Sequence, residues 1–97
     1  MVTVVLPGSL LALFPGAARR HDISGVANVE AVIDALDRSI PGVRDRLVEA
    51  GPRLRPHINV FVAGKPAALD TQVADGDTVH VIPAVSGGAA RRLLPGL

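Results

Sequence analysis

A single amphipathic helix limits the folds that this chain can adopt. Asn28 is predicted to cap its N-terminus, and Glu30 lies in the first turn, where a negative charge is favoured. The apolar residues that follow recur at helical spacing and form one continuous stripe: Val29, Val32, Ile33, Leu36 and Ile40. Pro41-Gly42 ends the helix. Because one apolar stripe must be buried against another layer, the rest of the chain has to supply that layer.

Most of the remaining apolar segments are typical of β-strands. Five segments predict strands: residues 2–6, 19–24, 57–63, 67–69 and 78–82. The first and last of these are the most apolar, so we expect them near the centre of the sheet. Alternation directs one set of side chains toward the core: Ile58, Val60, Val62, Val79 and Val81. The element order predicts an α+β roll, in which a mixed sheet of four to five strands packs on one main helix.

The segments between these elements are less regular. Residues 7–18 are predicted to be a loop, whose leucines either plug one end of the core or form a small hydrophobic docking site: Leu10, Leu11 and Leu13. Residues 43–49 predict a short helix, and residues 50–56 predict a loop. Four arginines in this part of the chain are either solvated or contact a phosphate-bearing partner: Arg44, Arg46, Arg53 and Arg55.

Composition excludes several classes of function. The chain of 97 residues has no cysteine, which removes disulfides, thiol nucleophiles and cysteine-ligated metals. A net charge of +1 with two aromatic residues is not the footprint of a nucleic-acid binder. The apolar run at residues 10–14 is too short to span a bilayer. We therefore expect a soluble cytoplasmic protein that contacts neither nucleic acid nor membrane.

No cluster of catalytic side chains is evident. The three histidines match no zinc-binding spacing, and no serine lies in a nucleophile-elbow motif. Asp75 and Asp77 flank a turn glycine, where short carboxylates usually bond the local backbone. The chain also lacks a glycine-rich phosphate loop after a strand. We expect a protein that is not itself an enzyme and that binds no metal or cofactor.

Two features remain that could serve a function. The first is an outward-facing apolar group, formed by Phe61, His80 and Ile82 if their two strands are neighbours; loops or the tail could instead cover it. The second is the tether after Pro83, which reaches roughly 20 Å and ends in two glycines. Without side chains, Gly87 and Gly88 can enter a narrow channel.

These residues resemble those of a known family. The run Asp75-Gly76-Asp77-Thr78-Val79, continuing through Pro83-Ala84-Val85-Ser86-Gly87-Gly88, is similar to the end of ubiquitin-like β-grasp sulfur carriers, the ThiS/MoaD family, and most similar to its cysteine-synthesis type. The turn Ala63-Gly64-Lys65 also resembles one in ubiquitin. The resemblance covers residues 1–88 and implies three parts: a β-grasp domain at 1–83, a tether at 84–88 and a C-terminal extension at 89–97.

The resemblance implies a carrier mechanism. A ThiF/MoeB-like activating enzyme would use ATP to adenylate the Gly88 carboxylate, and a sulfur donor would then displace AMP to leave a thiocarboxylate. A sulfur-accepting synthase would take that sulfur for cysteine, a cofactor or a secondary metabolite. Phe61, His80 and Ile82 would lie on the face that binds these enzymes, while Val85, Ser86 and Gly87 would form the tether.

The nine residues after Gly88 depart from the mature pattern. While Ala89 is attached, the Gly88 carbonyl is part of an amide and cannot be adenylated. We therefore expect the extension 89–97 to be removed, as in related precursors, by a JAMM-type metalloprotease. Two alternatives stay open: a ubiquitin-like interaction module that retains its tail, and a protein that is conjugated to lysines through Gly88.

Overall fold

The computed structural model of the chain describes residues 1–83, which form a sheet with one main helix on one face. Three helices are present in this part: α1 (Gly8–Leu13), α2 (Val29–Ser39) and α3 (Val43–Leu47). The strands are β1 (Val2–Val5), β2 (Arg20–Ile23), β3 (Val48–Glu49), β4 (Arg53–Leu54), β5 (Ile58–Val62), β6 (Lys65–Ala67) and β7 (Thr78–Pro83). The α+β β-grasp architecture predicted from the sequence is confirmed.

The main sheet has five strands in the order β2-β1-β7-β5-β6. The two terminal strands of the described chain, β1 and β7, pair in parallel, whereas the other three pairs are antiparallel. β7 therefore lies at the centre and is hydrogen-bonded on both sides, by β1 and by β5. The central place of the two most apolar strands follows the expectation from composition.

Helix α2 forms as its capping residue and apolar stripe predict. The Asn28 side chain accepts a hydrogen bond from the backbone N–H of Ala31 at 2.8 Å, which satisfies one of the free donors of the first turn. The stripe is buried against the sheet: Val29, Val32, Ile33 and Leu36 have at most 1% of their surface exposed. The helix ends at Ser39, and the N–H of Ile40 bonds back to the Leu36 carbonyl at 2.7 Å.

The segment at residues 7–18 was predicted to be a loop, and that prediction is wrong. Its first half forms α1, a helix of six residues that begins after Pro7. Leu10 is buried and Leu11 packs against the core, so these two leucines do plug one end of it. Leu13 does not, since 51% of its surface is exposed. A helix this short has too few turns to produce a clear periodicity in the sequence.

Two further boundaries differ from the predictions. The helix predicted over 43–49 ends at Leu47, and the following residues pair β3 with β4 as a small hairpin where a loop was predicted. The edge strand predicted at 67–69 lies instead at Lys65–Ala67. Its position is set by a two-residue turn in which Ala63 (φ 50°) and Gly64 (φ 82°) both have the positive φ of a type I′ hairpin.

Candidate functional site

The face of the sheet opposite α2 carries one aligned row of side chains. Strand register places five residues side by side across all five strands: Arg20, Val5, His80, Phe61 and Pro66. Residues directly opposite in antiparallel strands have Cβ atoms about 4.5–5.5 Å apart, so the three antiparallel pairs of this row are in contact range. We call this row, together with Ile82, the open face.

The open face brings together the three residues that the sequence selected. Phe61 is directly opposite His80, and Ile82 lies two residues further along β7, opposite Asn59. Phe61 is half-buried and His80 is exposed, while Ile82 keeps 44% of its surface accessible. The prediction that the two strands are neighbours and that these side chains share a face is confirmed. That they bind a partner stays a prediction.

Polar groups surround this apolar centre. On the β2 side, the Thr3 hydroxyl donates to an Asp22 carboxylate oxygen at 3.0 Å, and Arg20 ends the row. On β5, Asn59 is exposed. An apolar centre with a polar rim is the usual composition of a protein-binding surface.

Sequence reasoning missed Val5, Arg20 and Pro66 as members of the open face. Alternation within a strand shows which side chains share its face, and it places Val5 outward from β1. The register between strands, which aligns Val5 with His80 and Pro66 with Phe61, depends on long-range pairing. A single sequence carries little information on that pairing.

The chain leaves the domain at the end of β7. Pro83 is opposite Ile58, so β7, the strand that leads to the tether, is paired with β5 up to its last residue. The remaining predicted site residues lie outside the described part of the chain: Val85, Ser86, Gly87 and Gly88. Their roles, like the cleavage of residues 89–97, are taken up as proposals below.

The described side chains form no metal site: within residues 1–83, no group of three or more histidine, cysteine or acidic residues could hold an ion. His21 Nε2 is 2.8 Å from the Ala18 carbonyl, a local hydrogen bond. Asp77 accepts from the Ala74 N–H at 2.8 Å, and Gly76 between the two acids has φ 91°. The Asp-Gly-Asp segment is therefore a turn that leads into β7, as predicted.

Three of the four arginines considered as phosphate contacts are held by groups of the domain. Arg44 bonds Asp34 at 2.6 Å and Glu30 at 3.1 Å, and its hydrogen bond to Glu30 raises the pKa of its guanidinium. Arg53 bonds Glu49 at 2.8 Å. Arg55 donates to the Asp45 carbonyl at 2.8 Å. These contacts fix α3 and the β3–β4 hairpin to the domain, which favours a structural role.

None of the helices within residues 1–83 has the length and apolar character needed to cross a bilayer.

Comparison with known proteins places this geometry in a family. The sequence model of the ThiS family matches residues 4–88. The sulfur carrier protein CysO of Mycobacterium tuberculosis is 32% identical over 93 residues, which is 90% of this chain and 98% of that protein. Small archaeal modifier protein 1 of Haloferax volcanii is 39% identical over 69 residues, 71% of this chain and 79% of that one.

Solved structures agree with this placement. A chain in the crystal structure of the Amycolatopsis orientalis BexX/CysO complex superposes with a TM-score of 0.80 at 34% identity, covering 91% of this chain and 100% of that chain. The crystal structure of Mycobacterium tuberculosis CysO gives a TM-score of 0.76 at 31% identity, over 88% of this chain and 100% of that one. The chain therefore belongs to the ThiS family of β-grasp sulfur carrier proteins, which are carriers rather than enzymes.

Proposed function

We propose that this protein carries sulfur as a thiocarboxylate on Gly88. The observation that supports the proposal most strongly is the extent of the family match, which runs to Gly88 and stops there, leaving residues 89–97 outside it. The geometry fits such a role, since the strand that leads to the tether is the central strand of the sheet. The rigid domain would thus present a short glycine-ended chain to other enzymes.

The chemistry requires only a free carboxylate from this chain. One Gly88 oxygen attacks the α-phosphorus of ATP, pyrophosphate leaves, and an acyl adenylate forms. A sulfide equivalent then attacks the carbonyl carbon, and AMP departs with the oxygen that joined it to the acyl group. The product is a thiocarboxylate whose sulfur is the nucleophile of the next transfer. ATP is a substrate of the activating enzyme, so the carrier itself would hold no cofactor.

The open face is proposed to dock the partner enzymes. Phe61, His80 and Ile82 supply aromatic and aliphatic area at its centre, which is where binding energy concentrates in protein interfaces. Two kinds of partner would use it: a ThiF/MoeB-like adenylating enzyme and a sulfur-accepting synthase. The structure of a CysO protein in complex with BexX supports the idea that carriers of this shape bind partner proteins.

The extension must be removed before activation. As long as Ala89 follows Gly88, the carbonyl of Gly88 is an amide and offers no oxygen nucleophile to ATP. We propose that a JAMM-type metalloprotease cleaves between Gly88 and Ala89. The protein would then be a precursor of three parts: the domain at 1–83, the tether at 84–88 and the extension at 89–97.

Intact-mass spectrometry tests this proposal. The full chain and a variant ending at Gly88 are each incubated with the activating enzyme, ATP and sulfide. We expect the shortened protein to gain the mass difference of one oxygen replaced by sulfur, and the full chain to gain it only after the protease is added. Retention of residues 89–97 together with no mass gain, when both enzymes are present, would contradict it.

A second candidate is conjugation to other proteins. It is favoured by the 39% identity to Small archaeal modifier protein 1 over 69 residues. In that case the activated Gly88 carbonyl would form an isopeptide bond with a lysine amine of a target. Tryptic digests of the native host would then contain lysines that carry a remnant ending in Gly87-Gly88. A third candidate, an interaction module that keeps its tail, would show neither the mass gain nor the adducts.

A further inference from the structure

An apolar groove opens beside the point where the described chain ends. It has a volume of about 190 Å³ and lies at one end of the core, between α1, α3, the start of β5 and the end of β7. Leu10 and Leu47 line it and have 6% and 0% of their surface exposed. Leu13 also lines it and has 51% of its surface exposed. The groove therefore presents apolar area to solvent.

The groove lies on the other side of the sheet from the open face. Successive residues of a strand point to opposite faces, so the last two residues of β7 separate. Ile82 belongs to the open face, whereas Pro83 lines the groove together with the buried Val81. The two surfaces are therefore distinct, and a partner that covers only the open face leaves the groove accessible.

The charge on the groove has one sign. Arg46 and His57 are among its ten lining residues, and none of the ten is acidic. In the described part of the chain Arg46 forms no ion pair, not even with the adjacent Asp45, whereas Arg44, Arg53 and Arg55 each pair with a carboxylate. Complementary charge selects partners at protein surfaces, so this unpaired guanidinium beside apolar area favours a ligand that carries a carboxylate.

The size of the groove suits a side chain rather than a cofactor. Sites for drug-sized ligands are about 300–1,000 Å³, whereas the volume here corresponds to roughly six water molecules at about 30 Å³ each. We propose that the groove binds an acidic segment of a partner protein. A leucine-sized aliphatic side chain of that segment fills the apolar space, and an adjacent carboxylate pairs with Arg46 at the groove.

A phosphate-bearing ligand fits the groove less well than an acidic peptide segment. Seven of its ten lining residues are leucine, isoleucine, valine or proline. A phosphate group would pair with Arg46 and leave this apolar area uncovered, and a single exposed ion pair contributes little to binding. The inference rests on the groove residues alone and does not depend on the chemistry proposed for Gly88, so either can fail alone.

NMR titration of the isotopically labelled full chain with short peptides tests the proposal. The probe is acetyl-Asp-Leu-Asp-amide. One matched control, acetyl-Asn-Leu-Asn-amide, lacks the charge, and the other, acetyl-Asp-Ala-Asp-amide, lacks the leucine side chain. We expect the probe to shift the amide signals of Leu10, Leu47 and Ile58. It should bind about two- to fivefold more tightly than the uncharged peptide, the range of an exposed ion pair. It should also bind about threefold or more tightly than the alanine peptide, which buries less apolar area.

Arg46→Gln identifies the cation that the peptide contacts, and Arg38→Gln is its matched control, because both arginines are exposed in the last turn of a helix. We expect Arg46→Gln to weaken the probe by about two- to fivefold and to leave the affinity of the uncharged peptide unchanged. Arg38→Gln should change neither affinity. Equal affinities of the charged and uncharged peptides for the wild-type protein would overturn the proposal. Shifts confined to residues 84–97, or the same shifts with inorganic phosphate alone, would also overturn it.

Discussion

Phe61 and His80 lie directly opposite one another in the antiparallel strands β5 and β7, and both face away from helix α2. The same register places Val5 beside His80 and Pro66 beside Phe61. The open face is thus a row that crosses every strand of the main sheet, and two of its central residues, His80 and Ile82, are on the strand that leads to the tether. If partners dock there as proposed, they would bind next to the strand that leads to the tether.

Removing apolar area from the open face should weaken activation. We expect Phe61→Ala and Ile82→Asp each to lower the affinity for the adenylating enzyme by about tenfold or more, the loss typical of central interface residues. Isothermal titration calorimetry with the chain ending at Gly88 measures this directly. Circular dichroism should show an unchanged fold for Ile82→Asp, because Ile82 is 44% exposed.

Arg38→Ala serves as the control for these variants. Arg38 is exposed on α2, which covers the opposite face of the sheet. Its removal should leave the affinity for the adenylating enzyme unchanged. If Arg38→Ala weakened binding as much as Phe61→Ala, the docking surface would lie on the helical face.

The cap of α2 should have a measurable effect on stability. Asn28→Ala removes the acceptor of the 2.8 Å bond from the Ala31 N–H, and we expect the free energy of unfolding to fall by about 1 kcal/mol. Asn28→Asp should restore most of it, since aspartate caps equally well. Urea denaturation measures both, and equal stability of the alanine and aspartate variants would show that the cap contributes nothing.

Two leucines allow the stability cost of truncating a buried and an exposed side chain to be compared. Leu36 on α2 is fully buried, whereas Leu13 on α1 is 51% exposed. We expect Leu36→Ala to lower the free energy of unfolding by about 2–5 kcal/mol through lost contacts and an unfilled cavity. Leu13→Ala should cost less than about 1 kcal/mol. Similar losses in urea denaturation would mean that α1 is packed more tightly than the structure shows.

The Arg44 cluster should stabilise the domain by a salt-dependent amount. Arg44→Gln removes both ion pairs and leaves Glu30 and Asp34 as like charges four residues apart, so we expect a loss of about 1 kcal/mol at low salt. The pKa of Arg44 is raised by its bond to Glu30, so its contribution is complete below its unfolded pKa and is lost only above its folded one. Arginine does not titrate between about pH 6 and 9, so the loss of unfolding free energy in Arg44→Gln should be constant over this range.

Salt separates this electrostatic effect from packing. At about 1 M salt the Debye length falls to about 3 Å, and the deficit of Arg44→Gln should shrink. A deficit that stayed the same in high salt would mean that the alkyl chain of Arg44, rather than its charge, stabilises α3.

A substitution in the turn between β5 and β6 should raise the stability of the domain. Ala63 has φ 50°, a conformation that disfavours alanine, and it is followed by Gly64. Ala63→Asn creates the preferred pair for a type I′ turn, and we expect a gain of about 0.5–1 kcal/mol. Ala68→Asn, an exposed position outside the turn, is the control. Thermal unfolding compares them, and a loss of stability in Ala63→Asn would contradict the turn geometry.

The elements that the sequence predicted well are those whose signal repeats. Helix α2 repeats its apolar stripe over three turns and carries a cap, and β5 and β7 alternate along their length, so the buried and exposed faces of these elements follow from the sequence. The central place of β7 follows from its apolar content. Helix α1 and the β3–β4 hairpin have only two to six residues per element, too few for any period. They form because the surrounding core fixes them: Leu10 and Val48 are buried in it.

The residues of the candidate site also differ in how far the sequence predicts them. Phe61, His80 and Ile82 were found from alternation alone, because each strand shows which side chains share its face. Val5, Arg20 and Pro66 required the register between strands, which is decided by tertiary packing.

The central position of β7 determines when the domain can be completed during synthesis. A ribosome releases β1 and β2 first and the β5–β6 hairpin later, but these two halves of the sheet touch only through β7, the last strand of the described chain. Until β7 emerges, the sheet lacks its middle and the apolar stripe of α2 lacks a complete surface to cover. The strand that completes the domain also leads to Gly88, so Gly87 and Gly88 are synthesised only after the strand that completes the core.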